Sequence, residues 1–311
     1  GDLQALEYGQ VNNNNDGTFT FSLNDEFDFL SEGDYEDVTF KYSATNGSVT
    51  QTRDVTIIVE GETDYTPLTT LSVSGTNSGN VDVDLTLING ALDTSRSTYL
   101  ITHGWRSEAL ESSDWRELVE STSAYASTNF AEGANVIFAD WTSAAENLVY
   151  WDAAEDTEKV GDAIATYLHG AGLDPTSTTI IGHSLGSHGS GNLGEKWQSL
   201  SGNSVDLIIG LDPAGPEFED GSLTGIGKRL DASDADKVVA FHSTAALGYD
   251  YDLGDVDFYL NEWDDLLIPQ PGQTTFFGDH SYPIELLAQL YQGQTFTQGT
   301  DSSFAQVFGA A

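Results

Sequence analysis

The 311-residue sequence contains no cysteine and no methionine. Without thiols it forms no disulfides and no thiolate metal sites, and it offers no cysteine nucleophile. Basic residues are scarce: 10 Lys and Arg stand against 50 Asp and Glu, a formal net charge of −40. That balance argues against nucleic acid as a partner, because phosphate binding depends on Lys and Arg displacing counterions. It also opposes recruitment to anionic lipid. No apolar run approaches the ~20 residues that a membrane-spanning helix needs. The chain does not begin with Met, which points to a processed or excised N-terminus. Excess carboxylate suits a saline medium, where counterions screen self-repulsion. The lack of oxidisable sulfur leans toward an exterior, so secretion is the expectation. Hydrophobic residues nevertheless reach 39% and aromatics 11%, enough for a sizeable core.

The first sixty residues differ from the rest. Thr18-Phe19-Thr20-Phe21, Val38-Thr39-Phe40-Lys41-Tyr42 and Val55-Thr56-Ile57-Ile58-Val59 are β-branched and aromatic, with turn-forming clusters between them. They predict a β-sandwich piece, and Asp16 to Phe21, Phe27 to Gly33 and Val55 to Gly61 resemble the C-terminal part of a VCBS-type, cadherin-like repeat over residues 1–61. From residue 62 onward strands and helices alternate. Strands are predicted at 81–88, 98–102, 134–139, 178–182, 205–211 and 237–242, and helices at 108–127, 155–170, 185–198 and 281–291. Val160, Ala163, Ile164 and Leu168 recur at three- and four-residue spacing, the mark of one buried helix face. Such alternation predicts an α/β domain with a largely parallel sheet over residues 62–311.

The chemistry centres on Gly182-His183-Ser184-Leu185-Gly186, which follows a predicted strand and opens a predicted helix. A serine on so tight a turn is lifted above the sheet, with a helix N-terminus aimed at it. Alone it is a poor nucleophile and needs a base with a carboxylate behind it. Asp212 directly follows the apolar strand 205–211 and is the expected carboxylate. His242 and His280 come later in the chain. His242 ends a strand, whereas His280 is expected in a loop ahead of the last helix, where a base is free to move between hydroxyl and leaving group. His280 is therefore preferred. Besides the Leu185 amide, a second backbone donor for an oxyanion is expected from Trp105, in Ile101-Thr102-His103-Gly104-Trp105.

Leu100 to Trp105, Gly182 to His188, Gly210 to Ala214 and Arg229 to Ala235 resemble, in order, motifs of the pancreatic-lipase family, which includes triacylglycerol lipases, lipoprotein lipases and phospholipases A1. The resemblance covers about residues 62–300 and implies an α/β-hydrolase acting on fatty-acyl esters at a lipid interface. It assigns Ser184 as nucleophile, Asp212 and His280 as its partners, and the amides of Trp105 and Leu185 as oxyanion donors. It also implies a structural Ca²⁺ held by the Asp231 and Asp234 carboxylates and by the Ile226 and Arg229 carbonyls. Asp231 and Asp234, read without the family, form a capping pair at a helix start.

Two departures stand out: the cystines that staple the lid in the family's vertebrate lipases cannot exist here, and the lid itself is reduced. The stretches 271–278 and 215–227 are too short for a long amphipathic lid, although Phe276 and Phe277 offer a small apolar flap. A reduced lid is commoner, by resemblance, among phospholipases A1. Triacylglycerol lipase is the first reading, with phospholipase A1 or a short-chain esterase as the alternative. A rival from another class is an extracellular adhesive protein on an inactive hydrolase scaffold. Secretion by a marine or saline bacterium completes the expectation.

Overall fold

The structure, a computed structural model, describes residues 10–14, 16, 18–22, 35–45, 47–61, 63–88, 90–107, 110, 112–147, 149–219, 229–244, 247–260, 276–297 and 301–302. The chain divides into two compact units between Asp64 and Tyr65.

The first unit contains two separate antiparallel pairings. Strand β1 (Gln10–Asn13) pairs with β2 (Phe19–Ser22). Strand β3 (Tyr35–Thr45) pairs in unbroken register with β4 (Thr50–Glu60), from Tyr35 opposite Glu60 to Thr45 opposite Thr50. Val38 and Val59 are buried there, with Phe21 and Ile57 against them. The expected sandwich therefore takes the form of two ribbons among the described residues. The stretch 27–33, which carried part of the repeat resemblance, lies outside them.

The second unit is built on one eight-stranded sheet. Its strands are β5 (Tyr65–Gly75), β6 (Gly79–Ile88), β7 (Ser97–Thr102), β8 (Ala134–Asp140), β9 (Thr178–His183), β10 (Val205–Leu211), β11 (Ala235–His242) and β12 (Val256–Tyr259). In space they run β12-β11-β10-β9-β7-β8-β6-β5. Only β6 is antiparallel to its neighbours; every other pair is parallel. A mostly parallel sheet with helical crossovers on both faces is the α/β architecture that the alternation predicts, and it agrees with the α/β-hydrolase fold that the family resemblance implies.

Helices α1 (Ser113–Asn129) and α5 (Phe276–Tyr291) cover one face, while α3 (Tyr150–Ala171) and α4 (Leu185–Ser201) cover the other; α2 (Thr142–Ala145) is a single turn. Strand alternation sends successive side chains to opposite faces. Ile180 and Ile208 accordingly join Val160, Ile164 and Leu168 of α3, while Ile181 and Ile209 join Trp115 and Leu118 of α1 and Leu287 of α5. These isoleucines are fully buried, and burying each contributes about 2 kcal/mol relative to exposure.

The sequence misses β5 and β12. Strand β5 is rich in Ser and Thr and carries Pro67 beside a register shift, which is tolerable because β5 is an edge. Strand β12 is only four residues long and contains an aspartate. Helix α1 starts later than predicted, and α5 starts earlier, at Phe276.

Candidate active site

Three adjacent parallel strands bring the site together. Leu211 of β10 lies opposite His183 of β9 and Phe241 of β11. The next residues, Ser184 and Asp212, therefore leave the sheet side by side at its carboxyl edge. Two main-chain bonds fix this step: Ser184 N–H donates to Leu211 O at 3.0 Å, and Asp212 N–H to Phe241 O at 2.7 Å.

Ser184 has φ 55° and ψ −122°, a region where a side chain is strained and persists only when its surroundings enforce it. The flanking glycines permit the turn. A Cβ at Gly182 would lie 2.4 Å from the Gly186 carbonyl oxygen, and one at Gly186 would lie 2.4 Å from that of His103. The second contact shows how closely the elbow sits on the end of β7. Leu185 is the first residue of α4, so its amide is among the donors that a helix leaves free at its N-terminus.

His280 presents Nε2 to Ser184 Oγ at 2.9 Å and Nδ1 to Asp212 Oδ2 at 2.6 Å. It belongs to the first turns of α5 rather than to the expected loop. Packing of α5 on the sheet, through Ile284 and Leu287, carries the ring to the elbow. His242 is held elsewhere: its Nδ1 faces Tyr249 O at 3.0 Å and its Nε2 faces Asp257 Oδ1 at 2.7 Å.

Asp212 is fully buried. Its Oδ1 accepts the amides of Ser243 and Thr244 at 2.7 and 3.2 Å. Its Oδ2 accepts the Thr244 hydroxyl at 2.7 Å in addition to His280. Burial raises the carboxyl, but the His280 hydrogen bond and charge, with the Ser243 and Thr244 bonds, outweigh it and hold the group below its usual range. Sequence reasoning missed Ser243 and Thr244; their one signal is that they follow β11 directly.

On the other side of Ser184 lies the end of β7. A Cβ at Gly104 would come within 2.6 Å of the Ser184 Cβ, so backbone alone fits there. The adjacent Trp105 turns its indole away, packing edge-on to Tyr150 and donating Nε1–H to Asn147 O at 2.9 Å. Its main chain is held by His103, whose Nδ1 meets Gly104 O at 2.9 Å and whose Nε2 receives the Trp141 amide at 3.0 Å. A carbonyl only accepts, so His103 carries its hydrogen on Nδ1. The carbonyl and amide of a trans peptide point in opposite directions. Fixing Gly104 O therefore turns the Trp105 N–H away from the His103 ring.

Two further buried histidines went unremarked as sites in the sequence. His188, on α4, faces Ala214 O at 2.7 Å and receives the Leu230 amide at 3.0 Å, tying two loops of the site's rim to the helix. Burial is the main cause pushing its pKa down to about 4. His183 faces His280 O at 2.9 Å.

The loop expected to hold calcium uses its carboxylates internally. Asp231 Oδ1 accepts the Ser233 amide at 2.7 Å, and Asp234 Oδ2 accepts the Asp231 amide at 2.8 Å. They close a turn ahead of β11 instead of capping a helix, and Asp234 Oδ2 also sits close against Gly191 of α4. Arg229 donates to the Tyr249 hydroxyl at 2.6 Å. Ile226 lies outside the described residues. Among those described, no group of three or more His, Asp or Glu side chains could hold a metal ion; the set implied by the resemblance has two carboxylates, with main-chain carbonyls completing it. Residues 220–227 and 271–275 and the Phe276 and Phe277 side chains, on which the lid expectations rested, also lie outside the described structure.

A hydroxyl bonded to an imidazole that is itself backed by a buried carboxylate can lose its proton to the ring while attacking an electrophilic carbon. Residues 72–276 match the family described as Lipase. The chain belongs to the lipase family. The match ends four residues before His280. Among curated relatives, the chain is 33% identical over 233 residues to phospholipase A1 of Vespula vulgaris, covering 67% of this chain and 62% of that one. It is 36% identical over 200 residues to lipase member H of Rattus norvegicus, covering 62% of this chain and 40% of that one. It is also 36% identical over 203 residues to phospholipase A1 member A of Homo sapiens, covering 64% and 41%. The chain thus spans about two fifths to three fifths of these relatives' lengths. A solved α/β hydrolase from a deep-sea metagenome library matches with a TM-score of 0.35 and 16% identity, over 58% of this chain and 72% of that one. No helix among the described residues is long and apolar enough to cross a membrane.

Proposed function

We propose that the lipase-family unit hydrolyses carboxylic esters of fatty-acyl lipids, with Ser184 as nucleophile, His280 as base and Asp212 as its orienting carboxylate. The observation that carries this reading is the unbroken chain of contacts from Ser184 Oγ through His280 to Asp212, at 2.9 and 2.6 Å.

Ser184 attacks the ester carbonyl carbon as its proton passes to His280 Nε2. Asp212 holds the proton on Nδ1, keeps the ring in that tautomer and stabilises the imidazolium that forms. The Leu185 amide at the start of α4 and the Trp105 amide are assigned to the carbonyl oxygen as it becomes an oxyanion; each such donor is worth about 3 kcal/mol. His280 then gives its proton to the departing alcohol. Water, deprotonated by His280, attacks the acyl-enzyme and releases the fatty acid and free Ser184. Calcium enters no step.

The net charge of −40 favours neutral or zwitterionic lipid over anionic lipid, a condition that triacylglycerol and phosphatidylcholine both meet; triacylglycerol is kept as the first reading. The acidic composition supports an extracellular, saline setting, and the two β ribbons support reading residues 1–61 as the end of a VCBS-type repeat. A fluorophosphonate probe should label wild-type protein but not the Ser184→Ala variant, which should fold and lack esterase activity. An unlabelled, well-folded wild type would favour the inactive-scaffold reading. Turnover of emulsified triglyceride, phosphatidylcholine micelles and a soluble butyrate ester then ranks the substrates. Triglyceride is expected first, and preference for phosphatidylcholine would instead make the protein a phospholipase A1.

A further inference from the structure

The elbow histidine, one residue before the nucleophile, has no part in the mechanism above, yet it touches the base. His183 lies at the carboxyl end of β9 with its ring on the α1 and α5 side of the sheet, almost fully buried. Its Nε2 is 2.9 Å from the main-chain oxygen of His280. A carbonyl cannot donate, so Nε2 bears the hydrogen and gives it to α5. Nδ1 is buried and has no hydrogen-bond partner among the described residues.

Four groups surround this ring. The edge of Trp115 from α1 lies 5.8 Å away between centroids, and the His280 imidazole from α5 lies 4.7 Å away. Asp212 and His103 act on it through their charges. Burial first, and then the neighbouring His280, push its pKa down to about 3, which keeps it a neutral donor throughout the working range of the site. An apolar side chain here would fill the space without burying an unpaired nitrogen, a burden of about 1–3 kcal/mol.

We propose that His183 is a positioning residue: by donating Nε2–H to the His280 carbonyl it pins the first turns of α5 to the end of β9, and so sets the His280 ring at its reach from Ser184. The inference rests on the reading of His280 as the base. Asp212 controls how that ring is turned, but it does not hold the backbone that carries the ring. The backbone needs a hold, because Pro283 stands three residues later in α5. Proline supplies no amide to the carbonyl four residues back, so the helix lacks a rung beside His280. The peptide following His183 is that of Ser184 itself, so the contact ties the backbone of the base to the residue that adjoins the nucleophile. Displacement of a reacting group by about 1 Å can cost about 10²-fold in rate.

The test compares His183→Leu, which removes the donor, with His183→Gln, whose side-chain nitrogen reaches the position of Nε2. On a soluble ester, His183→Leu should lose about 10- to 100-fold in kcat with KM within about twofold, and His183→Gln should recover most of that loss. Leu retaining more than half of wild-type kcat, or Leu and Gln being equally impaired while folded, would overturn the proposal. A second measurement needs no variant. Nitrogen-15 shifts of wild-type His183 should report a neutral Nε2–H tautomer from pH 5 to 8, and an Nδ1–H tautomer or a doubly protonated ring would refute the contact. Fluorophosphonate labelling of wild-type protein separates the two failures: without labelling the assignment of Ser184 and His280 falls as well, and with it only the role of His183 is lost.

Discussion

Asp212 and His280 are 68 residues apart in the chain and 2.6 Å apart in space, joined by a hydrogen bond from Nδ1–H to a carboxylate oxygen that also accepts the Thr244 hydroxyl. The carboxylate is thus saturated on both oxygens, and its geometry is set by the loop after β11 before any substrate arrives.

Replacing Asp212 by Asn keeps the shape and reverses the hydrogen-bond sense at His280: the Ser243 and Thr244 amides at the Oδ1 position can only donate and claim the amide oxygen, which leaves an NH2 group facing Nδ1. The expected outcome is a fall in kcat of about 10³- to 10⁴-fold at neutral pH with a small change in KM, checked by steady-state kinetics on a soluble ester. A loss of under tenfold would contradict the role given to Asp212.

Gly104→Ala tests the packing of β7 on the elbow. The added Cβ would lie 2.6 Å from the Ser184 Cβ and 3.1 Å from the His183 carbonyl oxygen. Either the nucleophile or the Trp105 amide must shift, and kcat should fall by at least about 10²-fold. Kinetics alongside a thermal melt separate this local effect from unfolding.

The buried neutral His188 makes stability depend on pH. Its pKa of about 4 in the folded protein lies below the ~6.5 of an unfolded histidine, so the unfolded chain takes up the proton first as pH falls. Its contribution is complete above about pH 6.5 and declines toward pH 4. The stability gap between wild type and His188→Asn should narrow by about 2 kcal/mol between pH 7 and pH 5, as measured by urea denaturation at each pH. A gap that stays constant would show that His188 is not held neutral.

Far from the site, Asp156 on α3 is buried and receives the Thr76 amide at 2.8 and 3.1 Å, the Thr76 hydroxyl at 2.8 Å and Lys159 Nζ at 2.9 Å. It anchors the turn between β5 and β6. Asp156→Ala leaves those donors without their acceptor and should cost about 3 kcal/mol, lowering Tm by roughly 10 °C while kcat at 25 °C is unchanged. Calorimetry and an esterase assay on one preparation check both halves.

Sequence reading placed Ser184 and Asp212 because both positions obey local rules. A serine between glycines, after an apolar strand and before a helix, has one steric solution. An aspartate that ends a buried strand must emerge at the sheet's carboxyl edge. The same local rules set the strands from β6 to β11 and the buried face of α3, whose Val160, Ile164 and Leu168 pack on the sheet. They failed at β5 and β12, where polar edge positions carry no apolar period.

What the sequence determined by itself, then, is the alternation of strands β6 to β11 with helices, the strained elbow and the carboxylate beside it, since each follows from neighbours a few residues apart. Only the tertiary structure decided that His280 stands in a helix and reaches Ser184 while His242 is tied to Tyr249 and Asp257. It alone decided that Ser243 and Thr244 hold Asp212, that His103 orients the Gly104 peptide, and that His183 grips His280. Those contacts depend on the register of parallel strands and on how α5 docks against them, and no local pattern encodes a distance between residues nearly a hundred positions apart.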